Sequence, residues 1–230
     1  MKRVTVCLLL VLLTTGYVYA ESIRKKIVNP DGTEMFVFYS DGKEVAKQTL
    51  DEDENIVRTI GKIPDGTVKE YYKSGKLKAE WNYKIGKLDG MCKVYFENGN
   101  LMSKNSYKDG KRDGITKSYY RGLRLKYRYE YKDGELDGIV KKYYKNGQLA
   151  YEWKYKDGKR EGMTKAYFQN GSLKARWNYK GDQLDGVIRT YYKSGGVKYI
   201  DTYRDGHKIN RKAYDSKGKL EFDQDYPTEK

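Results

Sequence analysis

The stretch YKDGKRDGITKSYY, from Tyr107 to Tyr120, places two Asp-Gly pairs just ahead of a segment that ends in paired tyrosines. The chain repeats the pattern as YKDGELDGIVKKYY at Tyr131–Tyr144 and as YKDGKREGMTKAYF at Tyr155–Phe168. Aspartate followed by glycine is typical of turns, and alternating apolar and polar residues after a turn are typical of a strand. The pattern therefore indicates a repeating unit that contains both a turn and a strand.

The period is 24 residues and holds over six copies without insertion or deletion. Position zero of each copy is the glycine that closes the second acidic-glycine pair: Gly66, Gly90, Gly114, Gly138, Gly162 and Gly186. Positions five and seventeen are tyrosine in every copy, position six is tyrosine or phenylalanine, and position eleven is leucine or valine. Such regularity indicates a tandem-repeat fold, in which each unit packs mainly on its neighbours.

Each copy is predicted to be a β-hairpin. Turn sequences such as ENGN and KNGQ separate positions six and eleven, and Asn-Gly favours a two-residue turn with positive φ at both residues. The third copy differs, because RGLR puts Gly122 one place early. Position six should then pair with eleven, four with thirteen and two with fifteen. The segment KDGKRDG is the predicted return loop, in which glycines reverse the chain and aspartates accept local backbone hydrogen bonds.

Side chains alternate across a strand, which divides the repeat into two faces. One face is predicted to be apolar, with aromatic residues at positions six, fifteen and seventeen and leucine at eleven. The opposite face is predicted to be basic, with cations at positions three and eighteen and tyrosine at five. The candidate binding face consists of Lys69, Tyr71, Lys93, Tyr95, Lys117, Tyr119, Lys141, Tyr143, Lys165, Tyr167, Arg189 and Tyr191.

The predicted fold is all-β, an elongated single-layer antiparallel sheet of tandem hairpins. Its predicted parts are a signal peptide (1–20), degenerate N-terminal capping repeats (21–65), six hairpin repeats (66–209), and a partial C-terminal capping repeat with a polar tail (210–230). Degenerate ends can terminate such a sheet without leaving an open edge strand that is prone to aggregation.

The first 20 residues have the features of a secretory signal peptide. Lys2 and Arg3 precede an apolar run that is too short to span a bilayer, and small residues lead up to a cleavage site after Ala20. Cleavage would lower the formal net charge from +15 to +13 and leave one cysteine, Cys92. We therefore expect an exported protein, periplasmic or secreted, without an internal disulfide.

No catalytic or metal-binding pattern emerges. The one histidine, His207, falls at a variable position of a return loop, and Cys92 shares its position with valine, threonine and isoleucine. The Asp-Gly pairs lack the ligand spacing of an EF-hand. The sequence thus predicts no enzyme activity, no cofactor, no metal and no small-molecule substrate.

The pattern Tyr-Tyr-x-x-Gly-x-Leu followed by Tyr-x-x-Gly-x-x-x-Gly resembles the MORN repeat in its bacterial variant. It covers Asp65 to Asp205 closely and Pro30 to Phe222 loosely. The chain departs from the eukaryotic form, in which a His-Gly-x-Gly ending replaces Lys-Asp-Gly. The resemblance implies a hairpin ribbon that serves as a scaffold, oligomer contact or membrane-associating module without chemistry of its own. Full-length relatives are often labelled YwqK-type antitoxins, although a cytoplasmic antitoxin needs no signal peptide.

Several functions therefore remain open. The first is a scaffold or protein-interaction module in the cell envelope, whose apolar face is covered by a protein partner or a second copy. The second is binding of an anionic lipid, an acidic polysaccharide or DNA through the basic face. The third is an antitoxin-like partner of a toxin, and a fourth is a sugar-binding array similar to choline-binding repeats. Against these stands the possibility that the lysines only solvate an outer face and discourage edge pairing.

Overall fold

The structure is a computed structural model that describes residues 21–227. These residues form one 23-stranded sheet and contain no helix, so the all-β prediction is confirmed. It follows that no helix in this range could cross a membrane. The predicted signal peptide lies outside the described residues.

The strands follow one another along the chain in this order: β1 Ser22–Val28, β2 Glu34–Ser40, β3 Lys43–Leu50, β4 Ile56–Gly61, β5 Gly66–Tyr71, β6 Leu77–Lys84, β7 Lys87–Leu88, β8 Gly90–Tyr95, β9 Leu101–Lys108, β10 Lys111–Arg112, β11 Gly114–Tyr119, β12 Leu125–Lys132, β13 Glu135–Leu136, β14 Gly138–Tyr143, β15 Leu149–Lys156, β16 Lys159–Arg160, β17 Gly162–Tyr167, β18 Leu173–Lys180, β19 Gln183–Leu184, β20 Gly186–Tyr191, β21 Val197–Arg204, β22 His207–Tyr214 and β23 Leu220–Asp225.

The hairpin turn inside a copy is not the two-residue turn that Asn-Gly predicts. In the second copy, the Phe96 N–H donates to the Asn100 carbonyl, and the Gly99 N–H donates to the Phe96 carbonyl, both at 2.8 Å. This is a three-residue loop, a type I turn followed by a bulge. Of the two residues of Asn98-Gly99, only Gly99 has a positive φ, which is 87°. The Asn98 side-chain oxygen accepts the Asn100 N–H at 3.1 Å. The prediction of positive φ at both residues is wrong.

The register shows the effect of this turn. Positions four and thirteen pair as predicted, as do two and fifteen, for example Cys92 with Asn105. A shift then follows between positions four and five, so that Tyr95 at position five pairs with Leu101 at position eleven. The predicted pairing of position six with eleven is therefore wrong, because position six belongs to the base of the loop.

The two-residue turn lies instead in the return loop. Asp109 and Gly110 have positive φ values of 49° and 87°, and the flanking Lys108 and Lys111 pair with each other. This is the geometry of a type I′ turn, for which Asp-Gly is a favoured sequence. The first Asp-Gly pair of each motif thus reverses the chain.

The second aspartate of the motif joins successive return loops. An Asp89 carboxylate oxygen accepts the backbone N–H of Asp109 at 3.2 Å, and Asp113 accepts that of Asp133 at the same distance. These partners lie 20 residues apart, so the bonds are not the local ones that the sequence predicts. They fix each return loop against the next.

The N-terminal strands enter the sheet in an order that the repeat does not predict. Strand β1 pairs antiparallel with β2 and parallel with β5, so the sheet runs β4-β3-β2-β1-β5-β6 and then through the repeats. From β1, which lies beside the first repeat, the chain therefore moves out to the edge at β4 and returns through residues 62–65. Ile63 in this returning segment is 2% exposed and packs with Phe38 and Val68.

A buried ion pair holds this junction together. The Arg24 guanidinium on β1 donates to the Glu70 carboxylate on β5 at 3.0 Å. The same guanidinium lies 4.0 Å from the ring centres of Phe36 and Trp81. Lys78 adds a second contact to Glu70 at 2.6 Å. Because both members of the pair are buried, their mutual contacts replace the water that each would otherwise bind.

Within residues 21–227 the sheet ends at two edge strands, β4 and β23, each of which pairs with one neighbour only. Every residue of β4 is exposed, including the apolar Ile56, Val57 and Ile60. This edge is apolar and open, contrary to the expectation that degenerate ends protect both edges.

Candidate functional site

The basic face is crossed by a continuous row of paired residues. Position three pairs with fourteen within a copy, and position fourteen pairs with position three of the next copy. Directly opposed residues of antiparallel strands place their side chains on the same face, about 5 Å apart. The row, here called the ladder, consists of Lys69, Glu80, Lys93, Lys104, Lys117, Arg128, Lys141, Glu152, Lys165, Arg176, Arg189, Ile200 and Lys212.

Two parts of the ladder contain cations alone. The longer part, here called the five-cation run, consists of Lys93, Lys104, Lys117, Arg128 and Lys141. Beyond Glu152 follows a second part of three cations, Lys165, Arg176 and Arg189. Like charges that oppose each other across strands are destabilising, and these side chains are half-buried, where water screens them less.

Carboxylates pair with three cations of the five-cation run, because Glu130 contacts Arg128 in addition to the carboxylates at the two ends. Glu80 lies 3.1 Å from Lys93, and Glu152 lies 3.2 Å from Lys141. Among residues 21–227, no ion pair is formed by the two lysines that follow Lys93 in the run, Lys104 and Lys117. Within the described residues the uncompensated cations of the two parts are therefore Lys104 and Lys117 in the five-cation run and Arg176 and Arg189 in the second part.

Position fourteen belongs to this face but not to the predicted binding face, which consists of positions three and five. It supplies Lys104, Arg128 and Arg176, which turn the separate position-three cations into runs. Strand alternation contained the signal, because placing positions thirteen and fifteen on one face places fourteen on the other.

The position-five tyrosines lie beside the ladder on the same face. The Tyr95 hydroxyl donates to Glu80 at 2.8 Å, as does the Lys93 ammonium at 3.1 Å. Burial, reinforced by the hydrogen bond to Glu80, raises the pKa of Tyr95 to about 12. The tyrosine is therefore a neutral donor at physiological pH. The structure thus brings together the position-three and position-five residues that the sequence assigned to one face.

An apolar row runs parallel to the ladder at position one. Its members are 38–48% exposed and stand on the same face as the cations: Met91, Ile115, Ile139, Met163 and Val187. The sequence pattern predicts an apolar surface on the opposite face only. The basic face is therefore amphipathic, with exposed apolar side chains next to the cationic ladder.

The aromatic side chains of the opposite face pack on one another. Tyr151 and Trp153 stack with ring centres 5.0 Å apart, and Tyr127 and Tyr129 stack at 5.4 Å. The Lys142 ammonium lies 5.6 Å from the centre of the Tyr127 ring. These contacts leave the rings half-buried within the single layer of the sheet.

The two residues considered as candidates for catalysis, Cys92 and His207, lie in a buried and an exposed position, respectively. Cys92 is fully buried, and burial raises the pKa of its thiol, which disfavours the reactive thiolate. His207 is exposed at the start of β22, opposite Arg204. Within residues 21–227, no group of three or more histidine, cysteine or acidic residues could hold a metal ion.

Five segments of the chain match the family described as MORN repeat variant: residues 64–84, 88–109, 136–157, 160–180 and 184–205. The copy with the RGLR turn lies between the second and third matches. No curated protein sequence matches the chain. These five segments are therefore similar to MORN repeats, which in general are protein- or membrane-binding modules, whereas the antitoxin resemblance gains no support.

Proposed function

We propose that this array of MORN-type repeats is an exported, non-enzymatic binding module that attaches to an anionic component of the cell envelope. The observation that supports it best is the five-cation run from Lys93 to Lys141. Opposed like charges destabilise the isolated sheet, and an anionic partner would remove that cost. Export rests on the signal peptide predicted in residues 1–20.

A scaffold role follows from the same geometry. Each copy adds two long strands, or about 10 Å, to the length of the sheet. Groups attached at different copies are therefore held apart along one rigid support. The apolar row of the basic face adds contact area beside the cations, as a binding surface requires.

Retention on anionic and neutral supports over a salt series tests the proposal. We expect the protein without residues 1–20 to bind at least one of three anionic materials, namely heparin beads, polygalacturonate beads and phosphatidylglycerol vesicles. Neutral agarose and phosphatidylcholine vesicles should not bind it. Retention should fall steeply as salt rises, because exposed charges are screened. Equal binding to neutral and anionic materials, or binding to none, would contradict the proposal.

A further inference from the structure

The ladder indicates what kind of anion the basic face binds. We infer that the ligand is a linear acidic polysaccharide with one carboxylate per sugar, which lies along the ladder and across the strands. This inference rests on the proposed attachment to an anionic component. It adds a direction, a charge spacing and a length to that proposal.

The spacing of the cations fits a linear polymer. Neighbouring ladder residues belong to adjacent strands, which are separated by about 4.8 Å, so the five-cation run extends over about 20 Å. A polymer with one carboxylate per monosaccharide presents its charges at a similar interval. Each carboxylate can then meet one cation, and the two lysines without an ion pair in the described residues, Lys104 and Lys117, each gain a counter-charge.

The shape of the charge array disfavours the other anionic ligands. A bilayer presents charge in two dimensions and requires no row of cations on adjacent strands, and the exposed cations at position eighteen stand four residues along the strands from the ladder. A DNA strand presents its phosphates about every 3.4 Å along the helix axis, which is closer than the ladder spacing. The sheet also twists by about 20° at each strand, so that a flexible chain can follow the ladder more readily than a stiff duplex.

The surroundings of the ladder suit a carbohydrate chain. Tyrosines at position five flank the row once per copy, at every second ladder residue, and Tyr119 and Tyr143 flank the five-cation run. A tyrosine side chain combines an apolar ring with a hydroxyl that can donate a hydrogen bond. The row therefore offers cations for carboxylates and rings with hydroxyl groups for the sugar rings between them.

Glu152 limits the length of the site. It stands between the five-cation run and the second cationic part, 3.2 Å from Lys141 and 3.8 Å from Lys165. An anionic chain that continued past Lys141 would meet this carboxylate. We therefore expect the native site to accommodate about five charged sugars, one for each cation of the run.

Binding of oligogalacturonates of increasing length tests this inference by calorimetry. Affinity should rise with each added sugar until the oligomer covers the five-cation run and then level off. Methyl-esterified oligomers of the same lengths, which have lost the charge, should not bind. An affinity that is independent of length would overturn the inference.

Variants of the ladder identify the site. The double variant Lys104→Gln/Lys117→Gln should weaken binding at least tenfold, because each cation near an anionic ligand contributes about a factor of five. Its matched control is Lys73→Gln/Lys145→Gln, which removes the same charge at two exposed hairpin turns. If both double variants weakened binding equally, net charge rather than the ladder would be responsible, and the inference would be wrong.

Substitution of Glu152 provides a gain of binding. Glu152→Lys joins the two cationic parts into one row of nine cations, so long oligomers should bind more tightly while short ones change little.

The probes also separate this inference from the proposed function. If phosphatidylglycerol vesicles or heparin retain the protein and oligogalacturonates do not, the inferred ligand, a polysaccharide with one carboxylate per sugar, is wrong. The proposed attachment to an anionic component then stands. If no anionic probe binds, both are wrong.

Discussion

At the scale of single residues, the third copy shows what the repeat requires of its turns. The turn glycines of the other copies have positive φ, as Gly99 does at 87°, but in RGLR this position is occupied by Leu123 at 66°. A left-handed conformation costs a residue with a Cβ roughly 1–2 kcal/mol. Leu123 is also 56% exposed, so its side chain contributes little packing in return.

We therefore predict that Leu123→Gly stabilises the protein. Relief of strain exceeds the entropy that glycine loses on folding, and the expected net gain is about 0.5–1 kcal/mol. Thermal unfolding should show a midpoint that is higher by about 1–4 °C. The reverse change, Gly99→Leu in the second copy, should lower the midpoint by a similar amount. An unchanged or lower midpoint for Leu123→Gly would show that the turn is not strained.

At the scale of elements, the junction between β1 and β5 depends on a buried carboxylate. Burial alone would raise the pKa of Glu70, but the charges of Arg24 and Lys78 outweigh it and hold the pKa below its ordinary value. The folded state therefore binds this proton less tightly than the unfolded state. Its stabilising contribution is complete above the ordinary pKa of a glutamate and is lost as the pH falls through the lowered folded value.

We predict that Glu70→Gln destabilises the protein by about 3 kcal/mol near neutral pH, since it leaves the buried Arg24 without its counter-charge. The loss should shrink as the pH falls through the lowered pKa of Glu70. Urea unfolding over a pH series measures both effects. Glu44→Gln, which removes an exposed ion pair with Lys47, should change stability by less than about 1 kcal/mol at every pH. Equal effects of the two substitutions would show that the buried pair has no special role.

The elements also show how far the sequence determines the fold. The period and the strand alternation predicted the hairpins, the pairing of position four with thirteen, and the face that bears Lys117 and Tyr119. Asn-Gly considered alone predicts the wrong turn type. Ser74 and Ser194, which occupy the asparagine position in other copies, are poorly suited to positive φ and already favoured the three-residue loop.

Two further features depended on contacts that no repeat pattern contains. The parallel pairing of β1 with β5 is fixed by the Arg24–Glu70 contact and by Ile63, which belong to segments outside the six copies. The ladder depends on the pairing between copies, and that pairing follows from the return loop. Since the alternation rule alone places position fourteen on the basic face, this part of the candidate site can be predicted from the sequence.

At the scale of the whole molecule, equal copy length makes the array modular. Each copy contacts mainly its neighbours, so the removal of one complete copy should leave a shorter sheet of the same kind. The return loops support this expectation, because deletion of residues 114–137 joins Asp113 to Gly138 and restores an Asp-Gly pair at the new boundary. The ladder links this modularity to binding, since every copy contributes two of its residues.

We predict that two deletions of equal length fold alike and bind differently. Deletion of residues 114–137 removes Lys117 and Arg128 and shortens the five-cation run to three cations. Deletion of residues 162–185 removes two cations beyond Glu152 and leaves the five-cation run intact. Both proteins should give the circular dichroism of a β-sheet and unfold cooperatively. Because attachment depends on consecutive cations rather than on total charge, the first deletion should bind oligogalacturonate at least tenfold more weakly than the second. Equal affinities in two folded proteins would refute the role of the run.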